Sequence, residues 1–149
     1  MTTAEILEMN RPMKQRLLDF PGLIRAQKEK CETARRALKE AQATMNEIEA
    51  EMIALIAAEK DPNSGKAVFS NAEARAAELT RRKANDLSYR SAALAVRAAE
   101  EEVNAAQFDL ERLYDEFRAY RYVVDLTARE LALLAVDYHG ESRAAAEPY

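Results

Sequence analysis

Apolar residues return every seven positions along most of the chain. In the first half Ile24, Cys31, Leu38, Met45 and Met52 share one position, and Ala34, Ala41, Ile48 and Leu55 fall three residues later. In the second half Tyr89, Val96, Val103, Leu110, Phe117, Val124, Leu131 and Tyr138 form an unbroken series. Ala92, Ala99, Ala106, Leu113, Tyr120, Thr127 and Leu134 follow at the complementary position. A repeat of seven held this long predicts helices that supercoil left-handedly around a partner.

The breaks in this pattern set the expected elements. Thr2 with Glu5 forms a capping box for a short first helix within residues 1–19. Asn10-Arg11-Pro12 should interrupt it, because proline lacks an N–H and disfavours helix in the residue before it. Asp19-Phe20-Pro21-Gly22 is a second stop, with Asp19 able to cap the next helix. A long helix is expected over 20–60. Asp61-Pro62-Asn63-Ser64-Gly65-Lys66 reads as loop, within a connection spanning 61–70. Ser70 with Glu73 is a second capping box, and Phe69 before it is a staple residue. Helix then runs over 71–138, with a break expected near 85 because Asn85 and Asp86 favour caps over helix interiors. Gly140 should end it, leaving 139–149 as a flexible tail. The expectation is one all-α domain over 1–138, a long antiparallel helical hairpin or coiled coil with a short N-terminal helix.

A two-helix seam rich in alanine removes few apolar carbons from water. At about 25 cal/mol per Å², it would barely offset the entropy of ordering the chain. Apolar residues off the seam (Ile53, Ile56, Leu87, Leu94, Phe108, Tyr114, Tyr122 and Val123) widen the apolar face. Self-association through the C-terminal half is therefore expected, with Phe108, Phe117, Tyr120, Val124 and Leu131 at the interface. The alternative is that these residues cover the N-terminal helix of the same chain.

Composition narrows the chemistry. The 149 residues include three glycines, four prolines, one cysteine, one histidine and no tryptophan. A single cysteine excludes an internal disulfide framework and a multi-cysteine metal site. Cys31 reads as a small buried hydrophobe, with no second Cys or His to activate it as a nucleophile. His139 reads as a helix-end or tail residue. Glu100-Glu101-Glu102 wraps around a helix and reads as a solvated face. Ser64-Gly65-Lys66 lacks the upstream glycine and strand of a phosphate loop. No enzyme, metal or cofactor is expected. No apolar run reaches the ~18 residues that suggest a membrane span. MTTAEILEMN also lacks the basic and apolar regions of a signal peptide. The expected setting is the cytoplasm.

Charge is uneven beneath its total of −4. Residues 1–40 carry a net +3, 41–70 a net −3, 71–99 a net +3 and 100–149 a net −7. The second basic block holds Arg75, Arg81, Arg82, Lys83, Arg90 and Arg97. Arg81-Arg82-Lys83 lies near Tyr89, a ring able to stack on a base. Such a block can follow a phosphate backbone even in an acidic protein. It can equally be the solvated surface of a coiled coil, with Tyr89 in the core.

The layout resembles the phage UvsY-like recombination mediators over most of residues 10–135. The features that carry the resemblance are the helix from Ile24 to Ile56, the glycine-containing polar loop, the Phe69-Ser70 cap and the long helix with its Phe117-Arg118-Ala119-Tyr120-Arg121 stretch. The family's Lys-x-Arg-x-x-Tyr-Tyr-Ser-Gly stretch is represented here by Ser64-Gly65 alone. The resemblance implies a ring-like homo-oligomer, phage- or mobile-element-encoded, acting in a bacterial host. It would bind single-stranded DNA, help displace single-strand-binding protein and load a RecA-like recombinase. The DNA contacts would fall to Lys66, Arg75, Arg81, Arg82 and Lys83. The alternative function is a coiled-coil structural or assembly adaptor that binds only protein.

Overall fold

The computed structural model describes residues 2–145, with side chains described through residue 140. The protein is all-α. Helix α1 spans Thr3–Ala58, α2 spans Ala72–Asn85 and α3 spans Leu87–Ala145. No strand forms among the described residues. One isolated antiparallel bridge, Lys60 with Ala67, closes the loop between α1 and α2.

α1 begins on a reciprocal cap. The Thr2 N–H donates to Glu5 Oε2 at 2.6 Å, and the Glu5 N–H donates to Thr2 Oγ1 at 3.2 Å. The helix then passes through both Pro12 and Pro21 without a break. This corrects the expected division at 10–12 and 19–22: there is no separate N-terminal helix over 1–19. Each proline forgoes one backbone hydrogen bond. Both lie at exposed positions, while Asn10 and Phe20 just before them are buried. Packing on the buried face holds the backbone helical where local propensity favours a stop.

The loop is built from side-chain and backbone bonds of its polar residues. The Asn63 N–H donates to Asp61 Oδ1 at 2.9 Å, the Gly65 N–H to the Asp61 carbonyl at 2.9 Å, and the Asp61 N–H to the Lys66 carbonyl at 2.8 Å. Gly65 has φ +68°, in the left-handed region that a residue with a Cβ rarely adopts. The cap of α2 lies one residue beyond the expected Ser70. Asn71 Oδ1 accepts from the Ala74 N–H at 2.7 Å. Asp86 separates α2 from α3. Its N–H donates to the Arg82 carbonyl at 2.8 Å, and its carboxylate accepts from the Tyr89 N–H at 2.7 Å. α3 continues past Gly140 to Ala145, so the expected stop there is not observed and His139 does not sit at a helix end. Residues 146–149 of the expected tail lie outside the described residues.

The chain divides into two compact units, one from residues up to 28 with residues from 108, the other Glu29–Gln107. In the first unit α1 and α3 run antiparallel. Phe20 is fully buried and meets the edges of Phe117 and Tyr120 at ring distances of 5.4 and 5.8 Å. Arg16 binds Glu116 with two hydrogen bonds, at 3.0 and 3.2 Å. Lys28 Nζ lies 5.9 Å from the Tyr114 ring. The core of the second unit holds Cys31, Met52, Ile56, Ala92 and Val96. The seven-residue series on α3 is packed from Val96 to Leu131, and Leu134 and Tyr138 at its end are exposed. On α1 the seam turns from Met52 to Ile56, leaving Leu55 exposed.

Candidate nucleic-acid interface

α2 carries Arg82 and Lys83 in its last turn, and Asp86 alone separates it from α3. Carboxylates of the same unit take up Arg81, Arg82 and Lys83. Glu78 accepts from Arg81 Nε and Nη2 at 3.0 and 2.6 Å, and from Arg82 Nε at 2.8 Å. Arg82 Nη2 reaches Glu59 at 2.6 Å, and its guanidinium lies 5.9 Å from the Phe69 ring. Lys83 Nζ meets Glu49 at 2.8 Å and stands 5.3 Å from the centre of the Tyr89 ring. Of the three cations that the sequence favoured for phosphate, Arg81 is therefore tied within α2, while Arg82 and Lys83 fasten α2 to the end of α1 and to Tyr89 of α3. Of the other two, Lys66 is exposed in the loop, and Arg75 borders a small cleft with Ile53, Ile56, Ala76 and Leu79. The structure does not gather the five into one patch of unpaired charge.

Titration follows this geometry. The Arg81 hydrogen bond first, and the Arg82 bond with it, hold the Glu78 carboxyl at about 2, down from an ordinary 4.5. The same bonds raise Arg81 and Arg82 above the ordinary arginine value, and the Glu49 hydrogen bond raises Lys83. The folded value of Glu78 lies below the unfolded one. Its stabilisation is complete above about pH 4.5 and is lost as the pH falls toward 2. An acid titration followed by circular dichroism is expected to show destabilisation in that window. Glu78→Gln should remove the part of it that depends on this carboxylate.

A second cluster is better placed to take an anion. Lys83, Tyr89, Arg90, Ala93, Leu94 and Arg97 line a cleft of about 340 Å³. Positions 90, 93, 94 and 97 follow the i, i+3, i+4, i+7 spacing of one helical face. Arg90 and Arg97 stand two turns apart, about 10 Å along α3. Neither makes an ion pair among the described residues, and no carboxylate lines the cleft. Tyr89 is half-buried, its backbone pinned by Asp86. Leu94 is exposed. Apolar and aromatic surface between cations suits a flexible polyanion that carries planar rings. Sequence reading counted Arg90 and Arg97 in the basic block but did not join them to Tyr89. The available signal was their seven-residue spacing around Leu94, off the packed seam.

The five residues expected between copies fall in two environments. Phe117 and Tyr120 pack on Phe20 of the same chain, and Val124 and Leu131 are half-buried in the same series. Phe108 is exposed. Among the described residues no group of three or more His, Cys, Asp or Glu side chains could hold a metal ion. No helix there is long and apolar enough to cross a membrane. No protein-family model, no curated protein and no solved structure matches the chain.

Proposed function

We propose that this protein is a homo-oligomeric recombination mediator without catalysis of its own. It binds single-stranded DNA and helps load a RecA-like recombinase onto strands coated by single-strand-binding protein, in the cytoplasm of a bacterial host. The observation that carries the reading is the cleft in which Arg90 and Arg97, neither paired with a carboxylate among the described residues, flank Leu94 beside the Tyr89 ring. The cations are suited to phosphates, and the Tyr89 ring to a base. The resemblance to UvsY-like mediators supports the same reading. A protein-only assembly adaptor is the second reading. The engagement of Arg81, Arg82 and Lys83 in internal ion pairs favours it.

Fluorescence anisotropy on a long single strand across a salt series separates the two. Two phosphate contacts per chain, from Arg90 and Arg97, give a slope of about −1.4 in log affinity against log salt, so binding should fall about sevenfold between 50 and 200 mM. Affinity should be independent of base sequence, since phosphate contacts carry no sequence information. Absence of binding at about 50 mM salt, where such contacts are strongest, would leave the adaptor as the function.

A further inference from the structure

The three cations at the end of α2 are held by carboxylates, and they are held unequally. Arg81 sets both of its hydrogen bonds on the Glu78 carboxylate, at 3.0 and 2.6 Å. Arg82 is shared between two carboxylates, Glu78 at 2.8 Å and Glu59 at 2.6 Å. Lys83 has one ion-pair partner, Glu49 at 2.8 Å. Paired bonds lock a planar guanidinium, whereas an ammonium on a flexible four-carbon stem pivots about a single contact. Lys83 is also the one of the three that lines the cleft of Arg90 and Arg97, where its Nζ stands 5.3 Å from the centre of the Tyr89 ring. Glu49 reaches it from α1 and does not line the cleft itself. The two side chains are 26 and 30% exposed, so the pair is open to an incoming anion.

We propose that Glu49 withholds Lys83 from nucleic-acid phosphate, so that a cleft lined by three cations works with two. The proposal rests on the single-stranded-DNA reading of the cleft and adds to it the residue that sets the strength of binding. A phosphate arriving at Lys83 has to displace a carboxylate already bound there and then stand beside that bare charge. The repulsion of Glu49 thereby offsets the attraction of Lys83. Arg90 and Arg97 have no such competitor among the described residues. Neutralising Glu49 releases the third cation into a site where its ammonium already stands beside the ring, with no movement of the backbone. Holding one cation back keeps the grip of each chain moderate, which suits a protein that has to surrender the strand to another.

Fluorescence anisotropy on a short single-stranded oligonucleotide, across a salt series, tests it on Glu49→Gln. The substitution keeps the shape of the side chain, and Arg82 still ties α2 to Glu59, so the helices should remain in place. The slope of log affinity against log salt should steepen from about −1.4 to about −2.1, since each phosphate contact on a single strand adds about 0.7. Affinity should rise about eightfold at about 50 mM salt and about threefold at about 200 mM. Adding Lys83→Gln to Glu49→Gln should return the slope to about −1.4, whereas a gain from lowered negative charge alone would persist. An unchanged slope in Glu49→Gln overturns the proposal and leaves the reading of the cleft standing. A steeper slope that survives in the double variant also overturns it, because the added contact is then not Lys83. Absence of binding by both wild type and Glu49→Gln overturns the reading of the cleft, and the proposal with it.

Discussion

Phe20→Ala is expected to cost about 3–5 kcal/mol, the range for truncating a fully buried phenylalanine. Phe20 has no exposed surface, and both of its aromatic neighbours meet it edge-on. Arg16 also lies 5.2 Å from its ring centre while binding Glu116. One truncation therefore empties the centre of the first unit and removes the platform under that ion pair. The loss is a large fraction of the 5–15 kcal/mol that usually holds a domain folded. It should also be local in onset. α1 passes one proline on either side of this contact region, Pro12 and Pro21, so packing has to offset the backbone bonds they forgo. Hydrogen exchange should speed first in the N-terminal part of α1 and the facing part of α3, with protection around Met52 and Ile56 less affected. Leu18→Ala, on the exposed side of the same turn, should change stability by no more than about 0.5 kcal/mol. Equal melting of the two variants would show that the buried and exposed faces of α1 are wrongly assigned.

The same residues show why part of the fold was legible in the sequence and part was not. The seven-residue series marked the packed seam because periodicity is imposed by burial, and burial is what the structure reports for Cys31, Met52, Val96 and Leu110. Pro12 and Pro21 misled because a helix boundary is a balance between local cost and tertiary gain. Only the local half of that balance is written in the sequence. The gain comes from Phe20 meeting Phe117 and Tyr120, almost a hundred positions away in the chain. Ser70 and Asn71 are both able caps, and the choice between them depends on how the loop delivers the chain to α2. At the candidate site the composition of the block from 71 to 99 was visible, but the allocation of its charges was not. Glu78, Glu59 and Glu49 come from the same helix, a loop edge and a different helix. Only folding brings the last two to Arg82 and Lys83.

That allocation leads to opposite outcomes for two charge reversals that the sequence alone would treat as equivalent. Arg90→Glu with Arg97→Glu should abolish binding to single-stranded DNA while leaving helicity, melting and mass unchanged. Both guanidiniums are exposed and unpaired by carboxylates among the described residues, so their reversal breaks no internal contact. The two unpaired cations of the cleft would become two anions, and the polyanion would meet repulsion on both sides of Leu94. Arg81→Glu with Arg82→Glu should act chiefly on the fold. It sets two new carboxylates against Glu78 and Glu59, where four hydrogen bonds now join opposite charges. α2 should loosen from the end of α1, the melting temperature should fall, and any loss of DNA binding should follow that loosening. Anisotropy at about 50 mM salt, paired with thermal melts of each variant, reads both effects. DNA binding that survives reversal at 90 and 97 but is lost at 81 and 82 in a fully folded protein would move the phosphate contacts from the cleft to the end of α2. Tyr89→Ala then isolates the ring. Loss of stacking should weaken binding by about 1–3 kcal/mol per base engaged while leaving the salt slope unchanged, because no phosphate contact is removed.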